Sequence, residues 1–384
     1  MWFAIQLALA VCVGADIILA GAPARAQSTG YVVNFRSDTL SIFRTDSDAV
    51  SATVSLASER ARAAIQQIPG PNPYGAVAGL AIGGPVAIAL SPGATLAYVV
   101  QTGARGTLIV VDVRERRVTT TIPLGQESFA LALSPDGKEA YVADFGSDSV
   151  SVVDTSKRQV AANVPVGHGP SGVALSADGR QAYVTNIRSN TVSILDVGAR
   201  KVVGEIPAGA APCGLALSRD ALFIANSGAD SVSVVRTRDH QLAGTIAVGK
   251  QPVMVVVSPD ATRAYVSNQG DNSVSVIDAV TTRVTTAVPV GAEPFGLALS
   301  DDGTLLAVAN RSGNTVSILD TRTNNVIRTL QVGTAPFGIV LARGPQSGAC
   351  HCALGAGGAG GSLAGAVLVL FLAWVWSRRR PHSR

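Results

Sequence analysis

A block of about fifteen residues recurs along the chain, and its regular return limits the possible folds more than any other feature. The clearest copies are AYVADFGSDSVSVVD (140–154), AYVTNIRSNTVSILD (182–196), AYVSNQGDNSVSVID (264–278) and LAVANRSGNTVSILD (306–320). Each copy reads as two β-strands around a polar turn. The closing aspartates are 42 residues apart from Asp112 to Asp154, from Asp154 to Asp196 and from Asp278 to Asp320. A period of this length indicates a repeat protein.

Each copy is flanked by two further apolar segments. An apolar run with a tight Asp-Gly turn precedes it, as in PSGVALSADG (170–179), and a fourth run ending in Gly follows it, as in KVVGEIPAG (201–209). Four short strands in each repeat, with no helix between them, are typical of a β-propeller blade.

The number of blades follows from the two ends of the repeat region. Six full repeats begin at Pro85, Ser128, Pro170, Pro212, Pro252 and Pro294. A seventh inner strand, 336–342, has no partners after it, and its missing strands lie at 31–34, 39–43 and 49–56. We therefore predict an all-β, seven-bladed propeller of residues 27–343. A hybrid blade from both termini closes it and removes the free sheet edges.

The repeats resemble the YVTN-family β-propeller repeats of exported bacterial and archaeal proteins. The resemblance rests on AYVTN, TVSILD and the preceding PSGVALSADG, and it covers residues 30–343. It implies the propeller fold and a location outside the cytoplasm. It does not imply one reaction, since related propellers serve as surface-layer parts, lactone hydrolases and cofactor-bearing oxidoreductases.

Residues 1–26 are apolar and predict a signal peptide. Ala24 and Ala26 form a small-residue cleavage pattern, which makes Gln27 the expected mature start. The first residues contain no Lys or Arg, and Asp16 interrupts the apolar run. An uncleaved membrane anchor or a misassigned start codon is therefore the alternative.

The C-terminal 41 residues predict a membrane attachment. A cysteine motif and Gly-rich linker (344–362) precede an apolar transmembrane helix (363–377) and a basic cytoplasmic end (378–384). This order resembles the C-terminal sorting tails of the MYXO-CTERM type. The resemblance implies processing by a sorting protease at Cys350 or Cys352. Independently of the resemblance, the Arg cluster after the helix is expected to stay in the cytoplasm. That cluster consists of Arg378, Arg379 and Arg380. A plain anchor is the alternative, and a Cys-His-Cys metal site is a weaker one.

The charge of the chain is divided unevenly. Residues 27–343 contain 25 Lys and Arg and 25 Asp and Glu, so the propeller is formally neutral although the whole chain carries +4. A neutral domain without a basic stripe argues against nucleic-acid binding, in which phosphate neutralisation dominates affinity.

Two sets of residues are expected on the face where a propeller opens to its central channel. The first closes the second strand of each blade and consists of Asn34, Gln101, Asp144, Asn186, Asn226, Asn268 and Asn310. These side chains either bind sugar or peptide groups or cap their own turns by bonds to the backbone. The second set lies in the links between blades and contains Glu127, His168, Lys250 and Glu293. It forms either a metal or acid–base site or simply a solvated rim.

No cofactor is predicted. No Trp lies between residues 27 and 343, His168 and His240 are the histidines there, and no Cys-x-x-Cys-His or Gly-x-Gly-x-x-Gly motif occurs. An insertion at 58–84, with a short helix N-capped by Ser58, is expected on the entrance face as a lid, a partner patch or a tolerated insertion.

The sequence therefore favours an exported, surface-displayed, non-enzymatic binding or structural propeller tethered by its C-terminal tail. Its expected ligand is a protein or carbohydrate of the envelope or the cell exterior. The alternative is a lactonase-like or other hydrolase that uses Glu127, His168 and Glu293 on the entrance face.

Overall fold

The computed structural model describes residues 27–56 and 83–343, which form seven four-stranded antiparallel sheets. The first three strands are β1 (Ser28–Asn34), β2 (Thr39–Arg44) and β3 (Val50–Ser55). Blade 1 contains β4 (Pro85–Leu90), β5 (Leu96–Gln101), β6 (Thr107–Asp112) and β7 (Arg117–Pro123). Blade 2 contains β8 (Ser128–Leu133), β9 (Glu139–Asp144), β10 (Ser149–Asp154) and β11 (Gln159–Pro165). Blade 3 contains β12 (Pro170–Leu175), β13 (Gln181–Asn186), β14 (Thr191–Asp196) and β15 (Lys201–Pro207).

The remaining blades follow the same plan. Blade 4 contains β16 (Pro212–Leu217), β17 (Ala221–Asn226), β18 (Ser231–Arg236) and β19 (Leu242–Ala247). Blade 5 contains β20 (Pro252–Val257), β21 (Arg263–Asn268), β22 (Ser273–Asp278) and β23 (Arg283–Pro289). Blade 6 contains β24 (Pro294–Leu299), β25 (Leu305–Asn310), β26 (Thr315–Asp320) and β27 (Asn325–Gln331). The last strand is β28 (Pro336–Arg343).

The seventh sheet joins the two ends of the propeller. Its strand order is β28-β1-β2-β3, and β1 pairs antiparallel with β28 from Ser28↔Arg343 to Asn34↔Pro336. The predicted hybrid blade is therefore confirmed, with β1 beginning three residues earlier than the sequence indicated. This pairing removes the two free edges that an open ring would expose.

The hydrophobic core lies between neighbouring blades. The second and third strands of each blade are buried along most of their length, and Tyr141, Tyr183 and Tyr265 are among the largest fully buried side chains. Ile194 and Ile206 of blade 3, for example, share one cluster with residues of blade 4. The outer strands instead consist of exposed and half-buried residues with one buried residue near the end, as in β11, where exposed and half-buried residues alternate. One sheet face alone cannot bury these side chains, so each blade depends on its neighbours.

Several predicted segments lie outside the described residues. They are the signal peptide 1–26, all of the 58–84 insertion except Gly83 and Gly84, and the tail 344–384 with its helix. Where the structure describes the chain, no helix has the length and apolar character needed to cross a membrane.

Glycines allow the inner strands to approach closely around the axis. A Cβ added to Gly214 of β16 would lie 2.6 Å from the carbonyl oxygen of Val253 in the next inner strand. A Cβ on Gly172 would similarly meet the carbonyl of Cys213 at 2.5 Å. Only glycine therefore fits these positions, because any larger residue would force the neighbouring backbone to move.

We expect Gly214→Ala to lower the free energy of unfolding by about 1–3 kcal/mol, because the added methyl overpacks a backbone contact. Gly244→Ala, on the outer strand of the same blade, is the matched control, since no atom lies within 4 Å of its added Cβ. That control should be neutral or stabilising by up to about 1 kcal/mol. Chemical denaturation measures both, and equal stabilities would contradict the close-approach argument.

Candidate functional site

Six of the seven residues of the predicted polar ring at the ends of the second strands are buried, and the seventh, Gln101, is half-buried. Asn34, Asp144, Asn186, Asn226, Asn268 and Asn310 are all 0% exposed. Asn186 is representative: its Nδ2 donates to Thr191 Oγ1 at 3.1 Å and to Ser193 Oγ at 2.9 Å. The other asparagines donate to the equivalent hydroxyls of their own third strands. These amides thus hold the hairpin through side-chain hydroxyls, with less use of the backbone than the sequence suggested.

A glycine of the incoming link covers each of these side chains. A Cβ on Gly167 would lie 2.6 Å from the amide of Asn186. The same close approach occurs at Gly125, Gly209, Gly249, Gly291 and Gly333. The Gly that ends each fourth apolar run is therefore required by packing against the next blade. The ring is enclosed between a hairpin and a link.

Asp144 is the acidic member of this ring. Its carboxylate accepts hydrogen bonds from Ser128 Oγ and Ser151 Oγ, each at 2.5 Å. Ser128 occupies the position at which the other inner strands begin with Pro. The hydroxyl donor of Ser128 and the acceptor carboxylate of Asp144 therefore occur in the same blade. Burial raises the pKa of the Asp144 carboxyl, and the hydrogen bonds from Ser128, Ser151 and the Gly125 N–H offset this only in part.

The links between blades share one backbone geometry. Glu127 and Glu293 adopt left-handed φ angles of 51° and 52°, and so do Ala211 and Gln251 at the equivalent positions. The Glu293 N–H donates to Asn272 Oδ1 at 2.8 Å, an interblade bond that recurs in other links. Because the strained conformation is common to the links, it does not single out the glutamates for a function.

The rim side chains have separate local contacts. His168 Nδ1 lies 2.8 Å from Asp148 Oδ2. Both His168 and Lys250 are exposed. Glu293 accepts a hydrogen bond from Ser312 Oγ at 2.5 Å and pairs with Arg311 at 3.4 Å. Within 27–56 and 83–343, no three His, Cys, Asp or Glu side chains form a group that could hold a metal ion. The structure thus does not bring Glu127, His168 and Glu293 together as one cluster.

The floor of the channel mouth depends on the second residue of each inner strand. Around the ring these residues are Val86, Phe129, Ser171, Cys213, Val253, Phe295 and Phe337. The Phe295 and Phe337 rings lie 4.2 Å apart, and the Phe129 ring lies 6.3 and 6.2 Å from them. These three rings fill one side. The small side chains of Ser171 and Cys213 leave space on the other side.

A pocket of about 420 Å³ occupies that space. Its floor includes Phe129, Ser171 and Cys213. Its wall comes from the residue that follows the buried Asn or Asp in successive blades, namely Phe145, Ile187 and Ser227. This volume lies within the range of small-molecule sites, and most of the lining is apolar.

The polar side chains at the pocket are few, namely those of Ser171, Arg188, Ser227 and the exposed Gln251. Arg188 is the charged side chain among the described residues of the lining, and its guanidinium carbon lies 4.3 Å from the centroid of the Phe145 ring. Ser171 Oγ donates to Pro212 O at 3.1 Å, and Ser227 Oγ donates to Ala211 O at 2.9 Å. Their hydrogens are therefore used by the backbone.

Gln269 occupies the position equivalent to Phe145, Ile187 and Ser227 in blade 5. It is 3% exposed, and neither its Nε2 nor its Oε1 has a hydrogen-bond partner among the described residues. An unpaired buried amide is unfavourable by about 1–3 kcal/mol. The Gln269 amide thus has a buried donor and a buried acceptor that no described group of its own blade satisfies.

The residues that line this pocket were not identified by sequence reasoning. That reasoning sought ionisable groups, whereas the pocket arises from small residues at one register position and apolar residues at another. Comparing PCGLALS (212–218) with PFGLALS (294–300) would have shown the difference, because the two segments differ only at Cys213 and Phe295.

The buried carboxyl of Asp144 makes stability depend on pH. The pKa of this carboxyl is higher in the folded than in the unfolded protein. Protonated Asp144 therefore contributes to stability at low pH, and this contribution is lost as pH rises through the folded-state pKa. We expect Asp144→Asn, the residue used in most blades, to stabilise the protein at pH 7 by the order of 1 kcal/mol. The gain should disappear as pH falls toward 4, which thermal unfolding across pH would measure.

Asp148→Asn is the matched control with the opposite sign. Burial raises the pKa of the Asp148 carboxyl, but the Gly169 N–H and His168 lower it more, so the pKa lies below its usual value. This substitution should destabilise at neutral pH, and the loss should shrink as pH falls through the folded pKa. Parallel pH profiles for the two variants would contradict both assignments.

Comparison with known proteins supports the architecture. The family model described as YNCE-like β-propeller matches residues 6–221 and 260–345. Hydrazine synthase of Kuenenia stuttgartiensis superposes with a TM-score of 0.61 at 22% identity, over 67% of this chain and 89% of that chain. A functionally unknown protein from Desulfotomaculum acetoxidans DSM 771 superposes with a TM-score of 0.66 at 16% identity, over 82% and 99%. No curated protein matches the chain.

The two structural likenesses show the fold alone, because their identities are low. The family match covers most of the chain, and the expected relation to YVTN-type repeats is confirmed at this level. The tail that resembles a sorting signal lies outside the described residues. The protein belongs to the YNCE-like β-propeller family.

Proposed function

We propose that this protein is a non-enzymatic binding propeller of the cell envelope, whose ligand occupies the pocket at the channel mouth. The observation that carries the proposal is the space of about 420 Å³ left beside Ser171 and Cys213. A concave, mainly apolar pocket with a few polar groups is the usual form of a small-molecule site.

The position of the pocket also favours binding. Its wall residues follow the Asn or Asp side chains that each hairpin and incoming link enclose, so the lining is attached to rigid structure. A preformed site loses little conformational freedom when a ligand binds. Variation at wall and floor positions changes the pocket without disturbing the repeat.

The test uses a substitution that the repeat already contains. Cys213→Phe turns PCGLALS into the PFGLALS of blade 6 and should fill the pocket while the fold is kept. A panel of small compounds with apolar bodies is screened by thermal shift against the full-length wild type and this variant. Compounds that stabilise the wild type should lose their effect in the variant. A ligand at 100 times its Kd stabilises by about 2.7 kcal/mol, which is readily measured.

Equal shifts in both proteins would show that the compounds bind elsewhere and would overturn the proposal. If Cys213→Phe fails to fold, Ile187→Phe provides the same test from the wall. That substitution introduces the residue found at the equivalent positions Phe35 and Phe145. A wild type that no compound in the panel stabilises also contradicts a small-molecule function.

The envelope location rests on the sequence of the two ends. Residues 1–26 would direct export, and the tail 344–384 would attach the propeller to the membrane, with processing at Cys350 or Cys352. The apolar stretch 363–377 and the Arg cluster after it fit a helix whose basic end stays in the cytoplasm.

Replacing both Cys350 and Cys352 by Ser tests the processing. If the tail is a sorting signal, the wild-type protein should end near these cysteines, and the double variant should remain in the membrane with residues 363–377 attached. Intact-mass analysis of membrane fractions distinguishes the two forms. Wild-type protein that retains Arg384 would falsify processing and leave a plain anchor.

A further inference from the structure

We propose that the ligand of the mouth pocket is a small monocarboxylate with an apolar body, whose carboxylate pairs with Arg188. This inference rests on the proposed binding function and names the chemical class of the ligand. It follows from the charge of the lining, from the groups that are already engaged, and from the shape of the floor.

The charge at the pocket has one sign. Arg188 is the charged side chain among the described residues of the lining, and it is exposed. In the described part of the chain it forms no ion pair, and its guanidinium lies against the Phe145 ring. Stacking on a ring leaves the in-plane N–H groups of a guanidinium available, and these match a carboxylate with two parallel hydrogen bonds.

The nearby acid is engaged by other donors. Asp148 is close enough to Arg188 for the guanidinium to contribute to its lowered pKa. Its Oδ1, however, accepts the Gly169 N–H at 2.8 Å, and its Oδ2 lies 2.8 Å from His168 Nδ1. Asp148 therefore positions the link and His168, and the guanidinium keeps its capacity for a second anion.

The remaining lining suits the apolar part of such a ligand. Phe129, Ile187 and Cys213 provide apolar contact, and the hydroxyls of Ser171 and Ser227 already donate to backbone carbonyls. The carboxamide of Gln251 is the one further polar side chain among the described residues of the lining. A molecule with several polar groups would leave many of them unpaired here, which is costly. One charged end and an apolar body satisfy both parts of the pocket.

The experiment compares ligands that differ only at that end. Calorimetry on the full-length protein in a non-ionic detergent, with a detergent-only blank, measures 3-phenylpropionate, 3-phenylpropionamide and 3-phenylpropylammonium. We expect the carboxylate to bind about tenfold or more tighter than the amide, and the ammonium to bind weakest. Added salt should reduce the preference for the carboxylate.

Arg188→Gln should bring the affinities of the carboxylate and the amide close together, because the carboxylate loses its charged partner and weakens far more than the neutral amide does. Arg180→Gln is the matched control, because it removes the same charge from an exposed turn that does not line the pocket. It should keep the full preference.

The outcomes separate this inference from the proposed function. Equal binding of carboxylate and amide to the wild type, with both abolished by Cys213→Phe, would overturn the carboxylate assignment and leave the binding function intact. A preference that survives in Arg188→Gln would likewise overturn it. Absence of binding by the carboxylate contradicts the inference alone. The binding function is removed only if the wider compound panel fails to stabilise the wild type or stabilises Cys213→Phe equally.

Discussion

The propeller depends on a contact repeated at the junctions between blades, where a link glycine covers a buried Asn or Asp. The amide of Asn186 bonds to hydroxyls of its own hairpin, and Gly167 lies so close above it that no Cβ fits. The same arrangement at Gly333 and Asn34 joins the two ends of the ring. Each junction thus fixes a hairpin and the link of the preceding blade together, and the ring is rigid at its entrance face.

This rigidity has a consequence for function. Residues that repeat in every blade form the frame, whereas those that vary at the floor and wall positions decide where space remains. Phe295 and Phe337 fill the channel on one side, and Cys213 at the same position opens it on the other. A binding site can therefore arise from substitutions of single side chains, without any loop of special conformation. The left-handed link residues Glu127 and Glu293 belong to the frame in the same way.

Much of the fold could be predicted from the sequence, because strand alternation and a regular period are local signals. The hybrid blade could be predicted as well, since 336–342 lacks partners that the N-terminal strands supply. The candidate site was harder. The polar ring is regular in sequence, but its burial follows from packing by glycines of the preceding blade, a non-local contact. Ser128 and Asp144 show this, because their joint departure from Pro and Asn has meaning only when the two strands pair.

The sequence by itself determined the repeat, the four strands of each blade, the number of blades and the closure by both termini, since each depends on patterns along the chain. Only the tertiary structure decided where the ring is empty. The closed ring brings together around one pocket four residues that come from different repeats or that no sequence pattern singles out: Phe129, Ser171, Cys213 and Arg188. The physical reason is that a cavity forms where the side chains of several neighbouring blades are together too small to fill the space between them. No single repeat specifies that combination.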